Sequence, residues 1–528
     1  MKKESFFTRV PVLFVSLLLA AAGSSMFYAF RMVWVFYDPV LRVIGGAMGV
    51  FVITLLVIAV TLLLLALRLF CPEKNGIPLV QSRVCRILGA AAFAMSVLFV
   101  VADIAILIFS GSETDVTALL YLKKDLPGIL LFFAAVLLLI VLPNLKKRGK
   151  AFLSAGLAVC FIAAGLWHIF PCMPYRIVAD PVVMDTGADY AVVFATNSPG
   201  TGCVHYSFAG VDYTVYAQQN GRRIGDRLIH LVHVPYVHLK NNSYSVESTR
   251  VIEDFSYGGR QGKTVRKGPY TLRVNESETQ TYLLISDWHT HLKDAKTAIS
   301  HLGDYDAVLM LGDPAAGMDF EAQAAKYIVQ FGGDLTGGEL PVLYVRGNHE
   351  TRGAFAAKMP SYIGYEQLYY TAQRGPYAFL VLDSGEDKPD NHIEYGGMAE
   401  YRTERTEMID WLQNVQVQSD KLIVLTHAWQ VSEPEHDLSR AAWDAFSALG
   451  ARFVISGHTH TCEFLDGDTE TEQEYLTAYP GITTYIDGGY NQFTKTYIAS
   501  KLTLTPQGAH FEAVDQAGSV IQNEVRTW

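Results

Sequence analysis

The chain is 528 residues long, 50% of them hydrophobic and 18% charged, with a formal charge of −10 at pH 7. That charge is unevenly split: residues 1–172 hold 15 Lys and Arg against 7 Asp and Glu, or +8, whereas residues 173–528 hold 27 against 45, or −18. An acidic second part disfavours a nucleic-acid polymer as partner, because phosphate backbones are bound through clustered Lys and Arg.

The first 172 residues contain five apolar stretches, at about 10–30, 43–67, 87–109, 128–142 and 151–170. Most are near the ~20 residues a helix needs to cross a bilayer. The fourth is short unless it begins near Leu119, so counts of four or six stay open. Lys2, Lys3 and Arg9 precede the first stretch; Arg68, Lys74, Arg83 and Arg86 follow the second; Lys146, Lys147, Arg148 and Lys150 precede the fifth. The positive-inside rule places these segments in the cytoplasm. An odd number of spans from a cytoplasmic N-terminus then delivers the rest of the chain to the extracytoplasmic side. Residues 10–24 also fit a signal peptide, but its removal leaves four spans and an N-terminus already outside, so the parity holds. Asp103 and His168 fall within the stretches, where ionisable groups are costly, yet neither paired broken helices nor an internal repeat marks a transport path. The expectation is an all-α polytopic membrane bundle over 1–172 that anchors the chain among membrane lipids.

Residues 173–276 read as a small all-β sandwich. Alternating runs at 190–195, 203–208, 228–234 and 244–251 are separated by Asn-Ser-Pro-Gly (197–200) and Gly-Arg-Arg (221–223) turns, the punctuation of short antiparallel strands. The segment weakly resembles a fibronectin-III-like module. Its expected role is a spacer, with a grip on substrate as the alternative.

Residues 277–528 carry the chemistry. Short apolar runs at 282–285, 307–311, 342–345, 422–425 and 453–455 read as buried strands. Each is followed closely by polar residues: Asp287-Trp288-His289, Gly312-Asp313, Gly347-Asn348-His349-Glu350, His427, and Gly457-His458-Thr459-His460. Helix-like stretches at 294–302, 320–331 and 400–415 alternate with the runs, as an α/β domain requires. Residues at strand ends can converge on one crevice while rigid strands fix their positions. Carboxylate, amide oxygen and imidazole without thiolate suit Mn, Fe or Zn and argue against a structural zinc.

The order D-x-H, G-D, G-N-H-E, H, G-H-x-H resembles the calcineurin-like metallophosphoesterase superfamily over roughly residues 281–490. The resemblance implies an α/β metallophosphoesterase domain at 277–528, built of two sheets flanked by helices. It implies two divalent metal ions: one held by Asp287, His289 and His460, the other by Asn348, His427 and His458, with Asp313 bridging them. Such a pair activates a shared water as hydroxide and clamps a phosphate ester for in-line displacement. Asn348 is expected to touch substrate as well, and His349 to donate a proton to the leaving group. Glu350 either orients the His349 ring or is a solvated loop carboxylate.

Arg346 completes an Arg-Gly-Asn-His-Glu string similar to the protein Ser/Thr phosphatase branch, whose matching arginine binds the substrate phosphate; a guanidinium fork suits phosphate oxygens. That branch's G-D-x-V-D-R-G is replaced here by Gly312-Asp313-Pro314-Ala315-Ala316-Gly317-Met318, so a surface arginine is the other reading. Purple acid phosphatases resemble the chain in domain order. Their tyrosine ligand, however, falls at Ala316, and their first motif lacks a histidine like His289.

The expected function is that of a membrane-anchored, outward-facing phosphohydrolase. A catalytically silent receptor or scaffold is the alternative, and a lost ligand would signal it; every ligand position is intact. The outward location suggests cell-envelope or lipid-linked phosphates, with the discriminating walls supplied by loops at 314–325, 351–373 and 385–397. Cys172 and Cys203 could pair on this topology, which spacing does not decide, and Cys462 reads as a buried small residue rather than a ligand.

Overall fold

The structure is a computed structural model that describes residues 174–255, 258–465 and 481–528. The five apolar stretches, and with them the expected membrane bundle, lie outside these residues, and among the described residues no helix is long and apolar enough to cross a membrane. The chain divides into two units, Met1–Pro174 and Tyr175–Trp528.

The second unit begins with β1 (Val182–Asp185), β2 (Tyr190–Phe208), β3 (Val211–Tyr216), a minimal hairpin of β4 (Gln218–Gln219) and β5 (Arg222–Arg223), then β6 (Arg227–Val234), β7 (Ser243–Phe255) and β8 (Gly258–Thr271). The Asn-Ser-Pro-Gly stretch does not end a strand. β2 runs through it with a register shift between Ala195 and Gly200, pairing with β1 before the shift, with β3 and β7 after it, and with β6 on both sides. A bulge of this kind bends a strand without breaking it and tolerates Pro where ladder pairing is interrupted. Gly200 is required there, because a Cβ would stand 1.9 Å from the Tyr175 hydroxyl.

Apart from the β4–β5 hairpin, the strands of the expected sandwich region belong to the same hydrogen-bonded sheet as the first three strands of the α/β part. The region's own small core gathers Tyr190, Val192, Phe194, Val204, Val232, Tyr244 and Val246. The alternate β2 residues Ala191, Val193 and Ala195 face the opposite way, into the core of the α/β part, as the two-residue period of a strand dictates. β1 continues the same hydrogen-bonded sheet, pairing in parallel with β11 (Pro341–Tyr344). Polar contacts reinforce the join: the buried Arg374 pairs with Asp185 and donates to the Tyr190 hydroxyl at 3.0 Å, and the half-buried Glu321 accepts from Ile229 N at 2.7 Å.

In the α/β part, β9 (Gln280–Ile285) and β10 (Ala307–Met310) run parallel with β11. The closing strands β19 (Thr496–Thr505), β20 (Gly508–Asp515) and β21 (Val520–Thr527) extend this sheet beyond β9, and β18 (Gly489–Asn491) pairs onto β19. The second sheet has the order β12 (Tyr370–Arg374), β13 (Tyr377–Val381), β14 (Leu422–Leu425), β15 (Ala451–Ser456), β17 (Thr483–Ile486), β16 (Glu463–Leu465), with β13, β14, β15 and β17 parallel. Phe379, Val381, Ile423, Leu425 and Ile455 pack toward the first sheet, and Leu380, Leu422, Val424 and Val454 pack outward under helices Tyr401–Leu412 and His436–Ala448 through Met408, Ala442, Trp443 and Phe446. Helix Leu292–Ile299 and the segment from Glu321 to Thr336 cover the other face of the first sheet; the latter contains a π-helical turn at Ala325–Gln330 where an uninterrupted helix is predicted. Two facing sheets with helices outside them put the C-terminal ends of the parallel strands along one edge.

Candidate metal centre

The polar motifs occupy that edge. Asp287 and His289 follow β9, Asp313 follows β10, Asn348 and His349 follow β11, His427 follows β14, and His458 and His460 follow β15. The backbone must turn sharply at each exit. Asp287, His289, Asp313, His458 and His460 all have positive φ, between 33° and 76°. Non-glycine residues in that region are under strain, and such strain gathers at functional sites. Gly347 lets two of the loops touch, since a Cβ there would lie 2.1 Å from Asp313 Oδ1.

The side chains form two groups that share one region of space. Asp287, His289 and His460 bring their ligand atoms within 4.8 Å of one another, as do Asp313, His427 and His458, and His289 also joins Asp313 and His349. Nε2 of His289 and of His460 are 3.9 and 3.7 Å from Asp287 Oδ1, and Nε2 of His427 is 3.3 Å from Asp313 Oδ2. The first group holds the residues that the family resemblance puts on one metal, and the second holds His427 and His458 together with Asp313.

Several features of the structure suit a cation. Asp287 is fully buried; its Oδ2 accepts from His458 N at 2.8 Å, yet its Oδ1 has no hydrogen-bond partner. Leaving a buried carboxylate oxygen unsatisfied is costly without a positive charge beside it. The rings of His427 and His460 donate from Nδ1 to the carbonyls of Leu311 and Tyr490, both at 2.6 Å, so Nε2 of each is the atom a cation would bind in place of a proton. His458 has Nε2 3.3 Å from Glu433 Oε1, so its Nδ1 is the atom left for a ligand role. One edge of the Asn348 amide lies 3.2 Å from His427 Nε2 and 3.0 Å from Asp313 Oδ2. An amide nitrogen on that edge would satisfy both as hydrogen bonds. An oxygen there would complete a ring of three acceptors around one point, the arrangement that a cation selects.

The charge balance agrees. Burial pushes His289 down to about 4, so it is a neutral ligand near neutrality. Burial opposes ionisation of Asp313, but His427 and His349 outweigh it and hold the carboxyl well below its usual range.

His349 donates its backbone N–H to Asp313 Oδ1 at 2.9 Å and turns Nε2 toward Asp313 Oδ2 at 3.7 Å, while its Nδ1 is 3.1 Å from the Ala316 carbonyl. The Ala316 carbonyl, not Glu350, orients the ring. Glu350 is fully buried rather than solvated, accepting from Asp313 N at 3.0 Å, Gly347 N at 3.1 Å and the Tyr344 hydroxyl at 2.7 Å. It pins the two loops that carry the carboxylate and the amide. Arg346 is not a surface arginine. Its Nε and Nη2 clasp the buried Asp383 at 3.2 and 2.5 Å, so the fork expected to bind phosphate is occupied.

Other residues bordering the site have no signature in the sequence. Arg352 lies 3.1 Å from the outer edge of the Asn348 amide and forks onto Glu386 at 2.8 Å on both oxygens, tying the 385–397 loop to the site. Asp487 is buried behind Asp287, where burial pushes it up to about 7 and the Ser286 and Ser500 hydroxyls donate to it. Cys462 is half-buried with its thiol 3.3 Å from the Tyr485 hydroxyl and belongs to none of the ligand groups around the site.

Residues 281–462 match the family model described as calcineurin-like phosphoesterase, and this part of the chain is a domain of that family. Among curated proteins none matches the sequence. Similar solved structures include PhoD, at 12% identity over 67% of this chain and 90% of that one, with a TM-score of 0.41. GAP50, described as the anchor in the inner membrane complex of Plasmodium, is similar at 11% identity over 48% of this chain and 89% of that one, with a TM-score of 0.34. A protein serine/threonine phosphatase from Saccharomyces cerevisiae with similarity to human phosphatase PP5 is similar at 12% identity, over 44% and 75%, with a TM-score of 0.24.

Proposed function

We propose that this chain is a metal-dependent phosphoesterase whose active site holds two divalent cations and faces the extracytoplasmic side of a membrane. The observation that carries the catalytic part is the convergence of two ligand groups around the partnerless Asp287 Oδ1. Asp287, His289 and His460 would hold one cation and Asn348, His427 and His458 the other, with Asp313 shared between them. When bound, the cations supply Lewis-acid chemistry: they polarise a phosphoryl oxygen and lower the pKa of a water.

The chain's own residues supply the rest. The Leu311 and Tyr490 carbonyls fix the tautomers of His427 and His460, and Glu350 holds the Asp313 loop against the Gly347 loop. His349 is partly exposed, lies beside the ligands with Nε2 facing inward, and is the group positioned to give a proton to a departing alkoxide. Arg346 serves the wall of the site through Asp383 rather than the phosphate. The outward orientation rests on the apolar stretches and basic loops of residues 1–172, and it favours cell-envelope or lipid-linked phosphate esters as substrates.

The test is an assay of the full-length protein loaded with Mn, Fe or Zn against p-nitrophenyl phosphate, its bis-ester, nucleotides and lipid phosphates. Turnover that a chelator abolishes and metal restores is expected; a metal-loaded protein inert toward all four classes would overturn the reading. Protease protection of sealed vesicles reports which side the domain occupies.

A further inference from the structure

A second set of ligand-type side chains lies in the all-β region. Cys203 and His205 are two apart on β2, hence on one face of it. Glu247 on β7 is the direct cross-strand partner of Cys203, and Thr214 on β3 is that of His205. His205 Nε2 is 3.4 Å from Cys203 Sγ and 3.4 Å from Glu247 Oε2, and all three ligand atoms lie within 4.8 Å of one another. The other ring nitrogen, Nδ1, is 2.9 Å from Thr214 Oγ1. With Nδ1–H donating to that hydroxyl, Nε2 presents its lone pair to the thiol and carboxylate. This is how outer partners set the tautomer of a ligating histidine.

We propose that Cys203, His205 and Glu247 form a further metal site, for a zinc-class cation. The spacing supports this: tetrahedral zinc bonds of about 2.0–2.3 Å put neighbouring sulfur, nitrogen and oxygen ligands about 3.4–3.6 Å apart. A thiolate with an imidazole selects Zn or another borderline-soft ion over Mg or Ca. Binding exchanges the thiol proton for the cation, giving a Cys203 thiolate bond and one released proton. Three protein ligands leave the fourth position to water. A reactive or redox-sensing thiol is a poorer reading, because Cys203 is 3% exposed and sits beside a carboxylate, whereas reactive thiols are accessible and in electropositive surroundings. The site would staple β2 to β7 beyond the bend at 197–200, stabilising the folded chain alone.

The experiment uses full-length protein stripped with chelator and titrated with Co(II) or Zn(II). A thiolate-to-cobalt charge-transfer band is expected in the wild type and in Cys462→Ser, and is lost in Cys203→Ser. Zinc retained after gel filtration should be one equivalent lower in Cys203→Ser than in wild type. Should Cys203→Ser fail to fold, Glu247→Gln serves instead and should weaken zinc at this site at least tenfold. Equal zinc content, unchanged affinity in Glu247→Gln, or a band that disappears only in Cys462→Ser would overturn the proposal. Asp313→Asn separates it from the catalytic reading, because loss of the phosphoesterase metals there must leave the thiolate band intact.

Discussion

His427 Nε2 stands 3.3 Å from Asp313 Oδ2 in a fully buried pair, while the opposite nitrogen of the ring donates to the Leu311 carbonyl. Without a cation, a proton must sit between ring and carboxylate. Burial lowers the His427 pKa, but the Asp313 and Asp287 carboxylates overcome it and raise the ring to about 10. Because the folded value lies above the unfolded one of about 6.5, the stabilisation is complete below about 6.5 and disappears as pH rises through about 10. The Tm of chelator-stripped protein should therefore fall steadily across that window. Bound metal replaces the proton, so apparent metal affinity should rise over the same window and loaded protein should lose the dependence. Calorimetric scans with and without chelator check this; a flat profile in the stripped protein would contradict the pairing.

Asp313 and His349 should part company under mutation. Asp313→Asn removes the carboxylate shared by both ligand groups, and both bound metal and turnover should fall to background. His349→Ala should keep its metal and lose about 10²- to 10⁴-fold in kcat, the range for a general acid. The His349 loss should be larger for an alkyl phosphate than for p-nitrophenyl phosphate, whose leaving group needs little protonation. Metal analysis alongside the two assays distinguishes the roles, and equal losses on both substrates would remove His349 from leaving-group protonation.

The residues that converge at the candidate site were legible in the sequence for a physical reason: a short apolar strand and the polar residue at its end are adjacent in the chain, so Asp287, Asp313, Asn348, His427 and His460 announce themselves locally. The tautomer locks were not, because the Leu311 carbonyl is 116 residues from His427 and the Tyr490 carbonyl 30 from His460. Glu350 looks like a loop carboxylate until the Asp313 and Gly347 amides close over it. Pro199 and Gly200 carry every mark of a turn, yet flanking strand partners on both sides of β2 convert them into a bend. The same long-range pairing joins β1 to β11 and makes the all-β segment continuous with the α/β sheet, a contact that no local pattern encodes.

Glu350 offers a test of loop pinning against ring orientation. Glu350→Ala would leave Asp313 N–H, Gly347 N–H and the Tyr344 hydroxyl without their acceptor in a buried setting, at a cost of about 1–3 kcal/mol for each group left unsatisfied. Stability in urea should drop and metal affinity should weaken with it, since the Asp313 and Gly347 loops are no longer held together. Were Glu350 instead to orient His349, stability would be nearly unchanged and the pH–rate profile would shift.

Arg346, largely buried, and the fully buried Asp383 form a bidentate pair, with Tyr401 beneath the guanidinium at 5.7 Å. Breaking such a pair from one side strands the other charge and typically costs about 3–5 kcal/mol. Arg346→Ala should therefore unfold at markedly lower urea concentration, while Arg346→Met combined with Asp383→Leu, which removes both charges, should recover much of the loss. A phosphate-binding arginine would give the opposite pattern: a raised KM in Arg346→Ala with stability intact and no rescue from the second substitution. Urea titrations of the single and double variants, read beside KM for p-nitrophenyl phosphate, decide between a wall built by this ion pair and a guanidinium that grips substrate.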